Sequence, residues 1–373
     1  MIKIPKHILD LTPYKSGKPI EELAREKGLS KIVKLASNEN PLGPSPKAVE
    51  QIKKSLSEIN RYPDAASYSL VRAFAKKYNK NPKQIFTASG SDAILQYIIT
   101  AFSDNKDEFL SSEGTFIGWY VNVNKLNRKS KLTPLKNYYY DLDPILKSIN
   151  DKTKIIYLAN PNNPTGTIFT KKQFENFVSK VPNNILIILD EAYTIYAESF
   201  SEYPNGLSYD LDNLIVLRTL SKAYGLAGLR IGFAIANSEI VKTLFKVKLP
   251  FEPNALAQAA AIAALDDDDF IKRTSELNHK SLKIMDKKFN ELGIKHVPTV
   301  ANFYLLLFPG EEFTIEFNNE CLNRGLILRH TKSFGIPNGI RINSGTMEET
   351  DFAMEIIEDV YTKLLKKYED VKS

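Results

Sequence analysis

Runs of apolar residues recur through the middle of the chain and alternate with more polar segments. They occupy residues 85–89, 108–112, 154–161, 185–193, 214–221 and 231–236. Helical segments lie between several of these runs, and the clearest is DAILQYIITAF at 92–102. Continuous Ile, Leu and Val are typical of strands in a sheet that is covered on both faces. The alternation of strand and helix therefore predicts an α/β fold with a mostly parallel sheet.

The pattern changes on both sides of this central region. Before it, helices are predicted over 19–28, 46–56 and 69–78. This prediction rests on Pro and Gly at helix ends and on the polar loops between the helices. After Pro250, the sequence predicts helices over 254–265, 270–292 and 348–367, with short strands in NFYLLLF, LILRH and GIRINS. The acidic residues 266–269 are expected to begin a helix, since carboxylates favour the N-terminal end of the helix dipole.

These patterns predict two domains. The large domain, residues 35–250, would hold the mostly parallel, helix-covered sheet. A smaller α+β domain would consist of residues 1–34 and 251–373, with the N-terminal segment packing against the C-terminal part.

Composition narrows the classes of function. The chain has 373 residues and a net charge of +6, spread over scattered lysines rather than a basic stripe, which argues against a nucleic-acid partner. No apolar run approaches the roughly 18 residues of a membrane span. The only cysteine, Cys321, is expected to be a buried or neutral thiol. Without disulfides or a signal peptide, a cytoplasmic location is predicted, and no metal site is expected.

Polar residues follow several of the predicted strands. NPNNPTG (160–166) follows one run, Asp190 and Tyr193 follow the next, and Ser221 and Lys222 follow the third. SGSD (89–92) lies between a short strand and a helix. Each feature has a plain structural explanation: a turn, a capped helix or a solvated lysine. However, ligands bind at the carboxyl ends of the strands in open α/β sheets, and these residues would meet there.

Together these residues match the needs of pyridoxal phosphate. Its aldehyde requires a lysine for a Schiff base, and its ring nitrogen requires a carboxylate. Its phosphate suits a helix N-terminus and an arginine fork. Arg230 is placed for this contact across the GLAG turn, whose glycines permit close approach of the backbone.

The same segments carry a family resemblance. SKAYGLAGLRIGF, DEAY and NPNNPTG resemble the fold-type I pyridoxal-phosphate aminotransferases of the aspartate aminotransferase superfamily. PYKSGKPIEELAREKGL, KLASNENPLGPSP, NRYPD, KLPFEPNALAQAAAIAAL and RINSGT are similar, in order, to the histidinol-phosphate aminotransferase branch.

The resemblance implies roles for individual residues. Lys222 would form the Schiff base and move a proton, and Asp190 would pair with the ring nitrogen. Tyr193, the third implied catalytic residue, would hydrogen-bond the 3-oxygen of the ring together with Asn163. The implied cofactor ligands are Ser91, Asp92, Phe116, Asn163, Asp190, Tyr193, Thr219, Ser221, Lys222, Arg230 and, from the other subunit of a homodimer, Tyr62. The implied substrate ligands are Tyr14, Asn38, Asn163, Arg329 and Arg341.

Two positions depart from the pattern of the family. SSEGTF replaces the proline-rich turn that many relatives have before the stacking aromatic, here Phe116. Phe251 stands where some histidinol-phosphate enzymes have a tyrosine, so one hydroxyl that could contact a substrate phosphate is missing.

The implied reaction is transamination between histidinol phosphate and 2-oxoglutarate, a step of histidine biosynthesis. An aromatic-amino-acid aminotransferase and a threonine-phosphate decarboxylase stay open as alternatives. A non-catalytic regulator with a DNA-binding domain is disfavoured, because only about 34 residues precede KLASNEN.

Overall fold

The computed structural model describes residues 2–11 and 18–370, so the predicted substrate ligand Tyr14 lies outside the described residues. The helices are α1 Lys6–Leu9, α2 Ile20–Lys27, α3 Pro46–Ser55, α4 Tyr68–Tyr78, α5 Ser91–Phe102, α6 Ile117–Lys125, α7 Leu142–Lys147, α8 Lys171–Val178, α9 Thr194–Ala197, α10 Ser238–Leu244, α11 Ala255–Leu265, α12 Asp268–Glu291, α13 Glu311–Asn323 and α14 Met347–Asp370. The strands are β1 Val33–Lys34, β2 Ile85–Ala88, β3 Glu108–Ser112, β4 Lys129–Thr133, β5 Thr153–Ala159, β6 Leu186–Asp190, β7 Leu214–Thr219, β8 Gly232–Ile235, β9 Lys295–Val297, β10 Phe303–Leu307, β11 Leu326–Ile327, β12 Arg329–His330 and β13 Gly339–Asn343.

The larger sheet has seven strands in the order β2-β8-β7-β6-β5-β3-β4. Strand β8 runs antiparallel to both of its neighbours, and the other pairs are parallel. Alternate residues of β5 enter different cores: Tyr157 packs toward α5 and α6, whereas Ile156 and Leu158 pack toward α7 and α8. Helices on both faces explain why these strands read as continuous apolar runs. The predicted α/β fold with a mostly parallel, helix-covered sheet is confirmed.

A second, antiparallel sheet has the order β12-β13-β10-β9 and shares a core with α12, α13 and α14. The N-terminal segment joins this region through β1, which pairs in parallel with β11. Cys321 on α13 lies in this core, and burial raises the pKa of its thiol. This agrees with the predicted buried, neutral thiol. Among the described residues, no helix combines the length and apolarity needed to cross a membrane.

Helix α11 packs with the larger sheet's helices. Its alanines Ala257, Ala260 and Ala264 share a core with Leu70 and Phe74 of α4. The division at residue 250 stays a prediction, and this packing favours a boundary after α11 instead.

Candidate active site

The carboxyl ends of neighbouring strands open on one cavity of about 190 Å³. Ala159 at the end of β5 pairs with Asp190 at the end of β6, and β7 lies beside β6. The helix α5 begins at the same cavity, and β12 and β13 approach it from the second sheet. Most of the predicted site residues line it: Asn38, Ser91, Asp92, Phe116, Asn163, Asp190, Tyr193, Thr219, Ser221, Lys222, Arg230, Arg329 and Arg341.

Asp190 is a buried carboxylate that faces this cavity. Its Oδ2 accepts a hydrogen bond from the Tyr157 hydroxyl at 2.8 Å, and its Oδ1 accepts one from the Ala192 backbone N–H at 3.2 Å. Burial raises the pKa of Asp190 to about 6, although both hydrogen bonds oppose the shift. Since both donors are neutral, they do not balance the charge of the carboxylate.

Lys222 places its amine in the same cavity. Its Nζ donates to the Ser37 carbonyl at 3.1 Å. Burial, followed by the positive charge of Arg341, lowers the pKa of Lys222 to about 8. A larger share of this amine is therefore unprotonated near neutral pH than for a surface lysine, which suits a nucleophile or a base.

One edge of the cavity has the features of a phosphate site. Helix α5 begins with Ser91 and Asp92, so its free N–H groups and dipole favour an anion. The Thr219 and Ser221 hydroxyls lie 3.0 Å apart at the end of β7. Arg230 reaches the helix start, where its Nη2 lies 3.8 Å from Asp92 Oδ2.

Gly90 makes this approach of Arg230 possible. A Cβ at residue 90 would lie 2.8 Å from Arg230 Nη2, and Gly90 has a φ of +94°. Only glycine adopts this backbone conformation without strain. The SGSD turn therefore leaves space for a guanidinium group directly before the helix.

The two sheets meet through Arg341 of β13. Its Nη1 donates to Asn163 Oδ1 from the NPNNPTG loop, and its Nη2 donates to the Ala36 carbonyl at 2.7 Å. Asn38 lies beside this contact, has a φ of 55° and donates its Nδ2 to the Tyr193 hydroxyl at 2.7 Å. Two predicted substrate ligands, Arg341 and Asn38, are therefore each hydrogen-bonded to a predicted ring ligand.

A second arginine lines the cavity next to Arg341. Arg329 of β12 pairs directly with Arg341 in the antiparallel ladder. Each guanidinium carbon lies 5.7 Å from the centre of the Phe334 ring. Like charges placed opposite each other on a sheet repel, so an anion bound between the two guanidinium groups reduces this repulsion. A phosphate or carboxylate fits this arrangement.

The residues present fit pyridoxal phosphate. The buried carboxylate of Asp190 gains an opposite charge from a protonated ring nitrogen. The amine of Lys222 suits an aldehyde, and the start of α5 with Arg230 suits a phosphate. The residues that meet these requirements lie on different elements around one cavity, so the fit does not depend on a single residue.

One predicted ligand among the described residues, Tyr62, does not line this cavity. Tyr62 is 81% exposed and stacks on Phe251, with ring centroids 4.3 Å apart. The prediction that Tyr62 contacts the cofactor of a partner subunit stays a prediction. Tyr14 lies outside the described residues.

Several contributors were missed by the sequence analysis. Tyr157 donates to Asp190, and the backbone carbonyls of Ala36 and Ser37 accept from Arg341 and Lys222. The carbonyls leave no trace in a side-chain pattern. For Tyr157, the one signal was a phenol within the apolar run KIIYLAN, where a buried hydroxyl needs a partner.

A buried ion pair behind the cavity was also missed. Glu191 directly follows Asp190, and Arg218 directly precedes Thr219. Arg218 donates to Glu191 Oε2 from both Nε and Nη2, at 2.9 and 2.7 Å. The pair connects the ends of β6 and β7. It stabilises the backbone that positions Asp190 and Thr219.

A family model and the sequences of known proteins both relate this chain to aminotransferases. Residues 30–357 match the model of the family described as Aminotransferase class I and II. The chain is 42% identical to histidinol-phosphate aminotransferase 1 of Mannheimia succiniciproducens, over 91% of this chain and 92% of that protein. It is also 42% identical to the histidinol-phosphate aminotransferase of Caldicellulosiruptor saccharolyticus, over 91% and 94% of the two chains.

Solved structures share the fold. The histidinol-phosphate aminotransferase of Sinorhizobium meliloti in complex with pyridoxal-5'-phosphate superimposes with a TM-score of 0.88 at 25% identity, covering 98% of this chain and 99% of that one. Aspartate aminotransferase of Thermus thermophilus with maleate has a TM-score of 0.83 at 18% identity, covering 96% of this chain and 100% of that one. The second likeness concerns the fold alone.

Proposed function

Because this chain belongs to the class I and II aminotransferase family, among the histidinol-phosphate aminotransferases, we propose that it transfers an amino group between histidinol phosphate and 2-oxoglutarate. In the biosynthetic direction, imidazole-acetol phosphate and glutamate give histidinol phosphate and 2-oxoglutarate, a step of histidine biosynthesis. One observation in the structure supports this substrate class: Arg329 and Arg341 line the cavity that also holds Lys222 and Asp190. That cavity combines a buried amine with two cations.

Pyridoxal phosphate, when bound, supplies a ring that withdraws electrons from the substrate carbon as that carbon loses its proton. Lys222 Nζ would hold the cofactor, and then accept that proton and return it. The lowered pKa of Lys222, about 8, increases the share of the neutral base at physiological pH. The Asp190 carboxylate would pair with the ring nitrogen and keep it protonated.

The remaining ligands divide between the cofactor and the substrate. Asn163 and Tyr193 would bind the ring oxygen, and Phe116 would stack on the ring. The phosphate of the cofactor would be held by the side chains of Thr219, Ser221 and Arg230 and by the backbone N–H groups of Ser91 and Asp92. Asn38, Arg329 and Arg341, with Tyr14, would bind the substrate. A guanidinium fork matches phosphate and carboxylate alike, so one site accepts the acidic groups of both substrates.

We also propose a homodimer and a cytoplasmic location. Tyr62 and Phe251 form a stacked, solvent-facing aromatic pair, which favours a contact with a second copy of the chain. Sedimentation velocity at micromolar concentration tests the dimer, since a monomer there would contradict composite sites.

The reaction is tested by its products. The chain loaded with pyridoxal phosphate is mixed with histidinol phosphate and 2-oxoglutarate, and glutamate is followed with time. We expect glutamate to appear in step with the loss of histidinol phosphate. Carbon dioxide release from threonine phosphate without glutamate formation would favour the decarboxylase, and no reaction with any amine would favour a binding role.

A further inference from the structure

Tyr157 is a fully buried tyrosine whose hydroxyl contacts a candidate cofactor ligand. It is 0% exposed, and the hydroxyl lies 2.8 Å from Asp190 Oδ2. Burial and the nearby Asp190 charge raise the pKa of Tyr157 well above its ordinary value. The phenol therefore stays protonated and acts as the donor, and the carboxylate acts as the acceptor.

The register of the sheet explains this contact. On the parallel strands β5 and β6, Tyr157 pairs with Ile188, and Asp190 lies two residues further along β6. Side chains two residues apart share a face of the sheet, so Tyr157 and Asp190 are diagonal neighbours within reach of a long side chain. The hydroxyl thus approaches the carboxylate from the core side, while Asp190 also lines the cavity.

The position of the Tyr157 ring is itself fixed by packing. Trp119 of α6 stacks on it with ring centroids 4.7 Å apart and an interplanar angle of 6°. Trp119 is fully buried and also packs against Phe109. Because interiors are close-packed, the tyrosine has little freedom to turn its hydroxyl away from Asp190.

We propose that Tyr157 is a positioning residue, whose hydroxyl orients the Asp190 carboxylate and keeps it ionised toward the ring nitrogen of the cofactor. Tyr157 fixes Oδ2 and the Ala192 N–H fixes Oδ1, so the carboxylate plane is set before the cofactor binds. The inference rests on the proposed function, because the ring nitrogen is what Asp190 would bind.

The charges around Asp190 make this donor important. Burial, Asp92 and Glu191 all favour the protonated carboxyl, whereas the hydrogen bonds from Tyr157 and Ala192 favour the carboxylate. Replacing Tyr157 by Phe removes one of the two opposing hydrogen bonds. The pKa of Asp190 then rises further, so the carboxylate is lost at a higher pH as the solution is acidified.

The test compares Tyr157→Phe with Tyr140→Phe. Tyr140 is also buried, but its hydroxyl donates to Thr115 Oγ1 at 2.6 Å and lies outside the hydrogen bonds to Asp190. Pyridoxal phosphate is titrated into each apoprotein across pH 5 to 9, and binding is followed by absorbance. We expect Tyr157→Phe to weaken binding about ten-fold near pH 7 and to move the acid limb upward by about one pH unit. Tyr140→Phe should match the parent chain.

A double-mutant cycle separates positioning from general packing. In an Asp190→Asn background the carboxylate is absent, so adding Tyr157→Phe should cause little further loss of cofactor affinity. If the two substitutions act additively, or if Tyr140→Phe moves the acid limb as far as Tyr157→Phe does, the inference is wrong. If the parent chain itself does not bind pyridoxal phosphate, the proposed function fails instead.

A second variant covers the case in which Tyr157→Phe does not fold. Trp119→Phe keeps an aromatic ring but reduces the stacking that fixes Tyr157. A smaller upward shift of the acid limb is expected. An acid limb identical to that of the parent chain would overturn the positioning role.

Discussion

Burial shifts the pKa values of two ionisable residues of the cavity in opposite directions. It raises the pKa of Asp190 to about 6 and lowers that of Lys222 to about 8. Each shift favours the neutral form, because a charge in this cavity lacks the solvation that it has in water. In pyridoxal phosphate, a cationic ring nitrogen would stabilise the Asp190 carboxylate, and the aldehyde would react with the neutral amine of Lys222.

A lowered pKa alone does not make a lysine catalytic. Lys248 also has a pKa of about 8, lowered by burial, but it lies outside the cavity and its Nζ donates to the Ala65 carbonyl. Lys222→Ala should reduce transamination on the order of 1,000-fold or more, since it removes both the attachment point and the base. Lys248→Ala should keep activity within about three-fold of the parent chain.

The check is a steady-state assay together with the mass of the protein after borohydride reduction. Retention of covalently bound cofactor in Lys222→Ala, or its loss in Lys248→Ala, would place the attachment elsewhere.

The raised pKa of Asp190 has a consequence for stability. The folded pKa lies above the ordinary value of 3.8, so protonation favours the folded state, and this stabilisation is lost as the pH rises through about 6. Asp190→Asn should therefore make the apoprotein more stable than the parent chain at pH 7 to 8, by about 2–3 kcal/mol. The advantage should shrink as the pH falls from about 6 to 4.

Urea unfolding of both apoproteins at several pH values measures this difference. A difference in unfolding free energy that does not change with pH would show that Asp190 does not titrate in this range.

At the scale of elements, the turn before α5 shapes the candidate phosphate site. Gly90→Ala should strain the turn and displace Arg230, because the new Cβ would lie 2.8 Å from Nη2. A loss of about 1–3 kcal/mol in stability and a cofactor affinity weaker by about ten-fold are expected. Gly228→Ala is the matched control in the GLAG turn, since nothing lies within 4 Å of its Cβ.

Both variants are compared by thermal unfolding and by cofactor titration. Equal effects of the two substitutions would contradict a specific role for the space at Gly90.

The sequence predicted the elements whose pattern was strong. The run 108–112 became β3 and the run 214–221 contains β7, because strands covered on both faces are apolar throughout. The acidic run 266–269 contains the start of α12, as predicted. Strand β4 was missed because its sequence, KSKLT, lies at the sheet edge and is mostly polar. LILRH was predicted as one strand, but Leu328 separates β11 from β12, which pair with different partners.

Part of the candidate site could also be predicted from the sequence. Strand ends and motifs identified Asp190 and Lys222, since the chemistry of the cofactor requires those side chains. Tyr157 was not identified, because its role depends on the register of β5 against β6, which no local pattern encodes. The pairing of Arg329 with Arg341 likewise follows from the ladder between β12 and β13.

At the scale of the whole molecule, the cavity lies where two sheets meet. The larger sheet contributes Asp190, and Lys222 follows its strand β7, whereas Arg329 and Arg341 come from the smaller sheet. Arg341 already joins the two sheets through Asn163 and the Ala36 carbonyl. An anionic substrate that binds Arg341 would therefore also change the hydrogen bonds that join the two sheets.

We expect this cavity to select a phosphorylated amine for transamination. The most direct measurement compares kcat/KM for histidinol phosphate, phenylalanine and threonine phosphate, with 2-oxoglutarate as acceptor and the same cofactor-loaded protein. Two arginines that bind an anion should favour histidinol phosphate over phenylalanine by about 100-fold or more, and transamination of threonine phosphate should be slower than that of histidinol phosphate. A kcat/KM for phenylalanine that greatly exceeds the value for histidinol phosphate would show that the cavity does not select a phosphorylated amine.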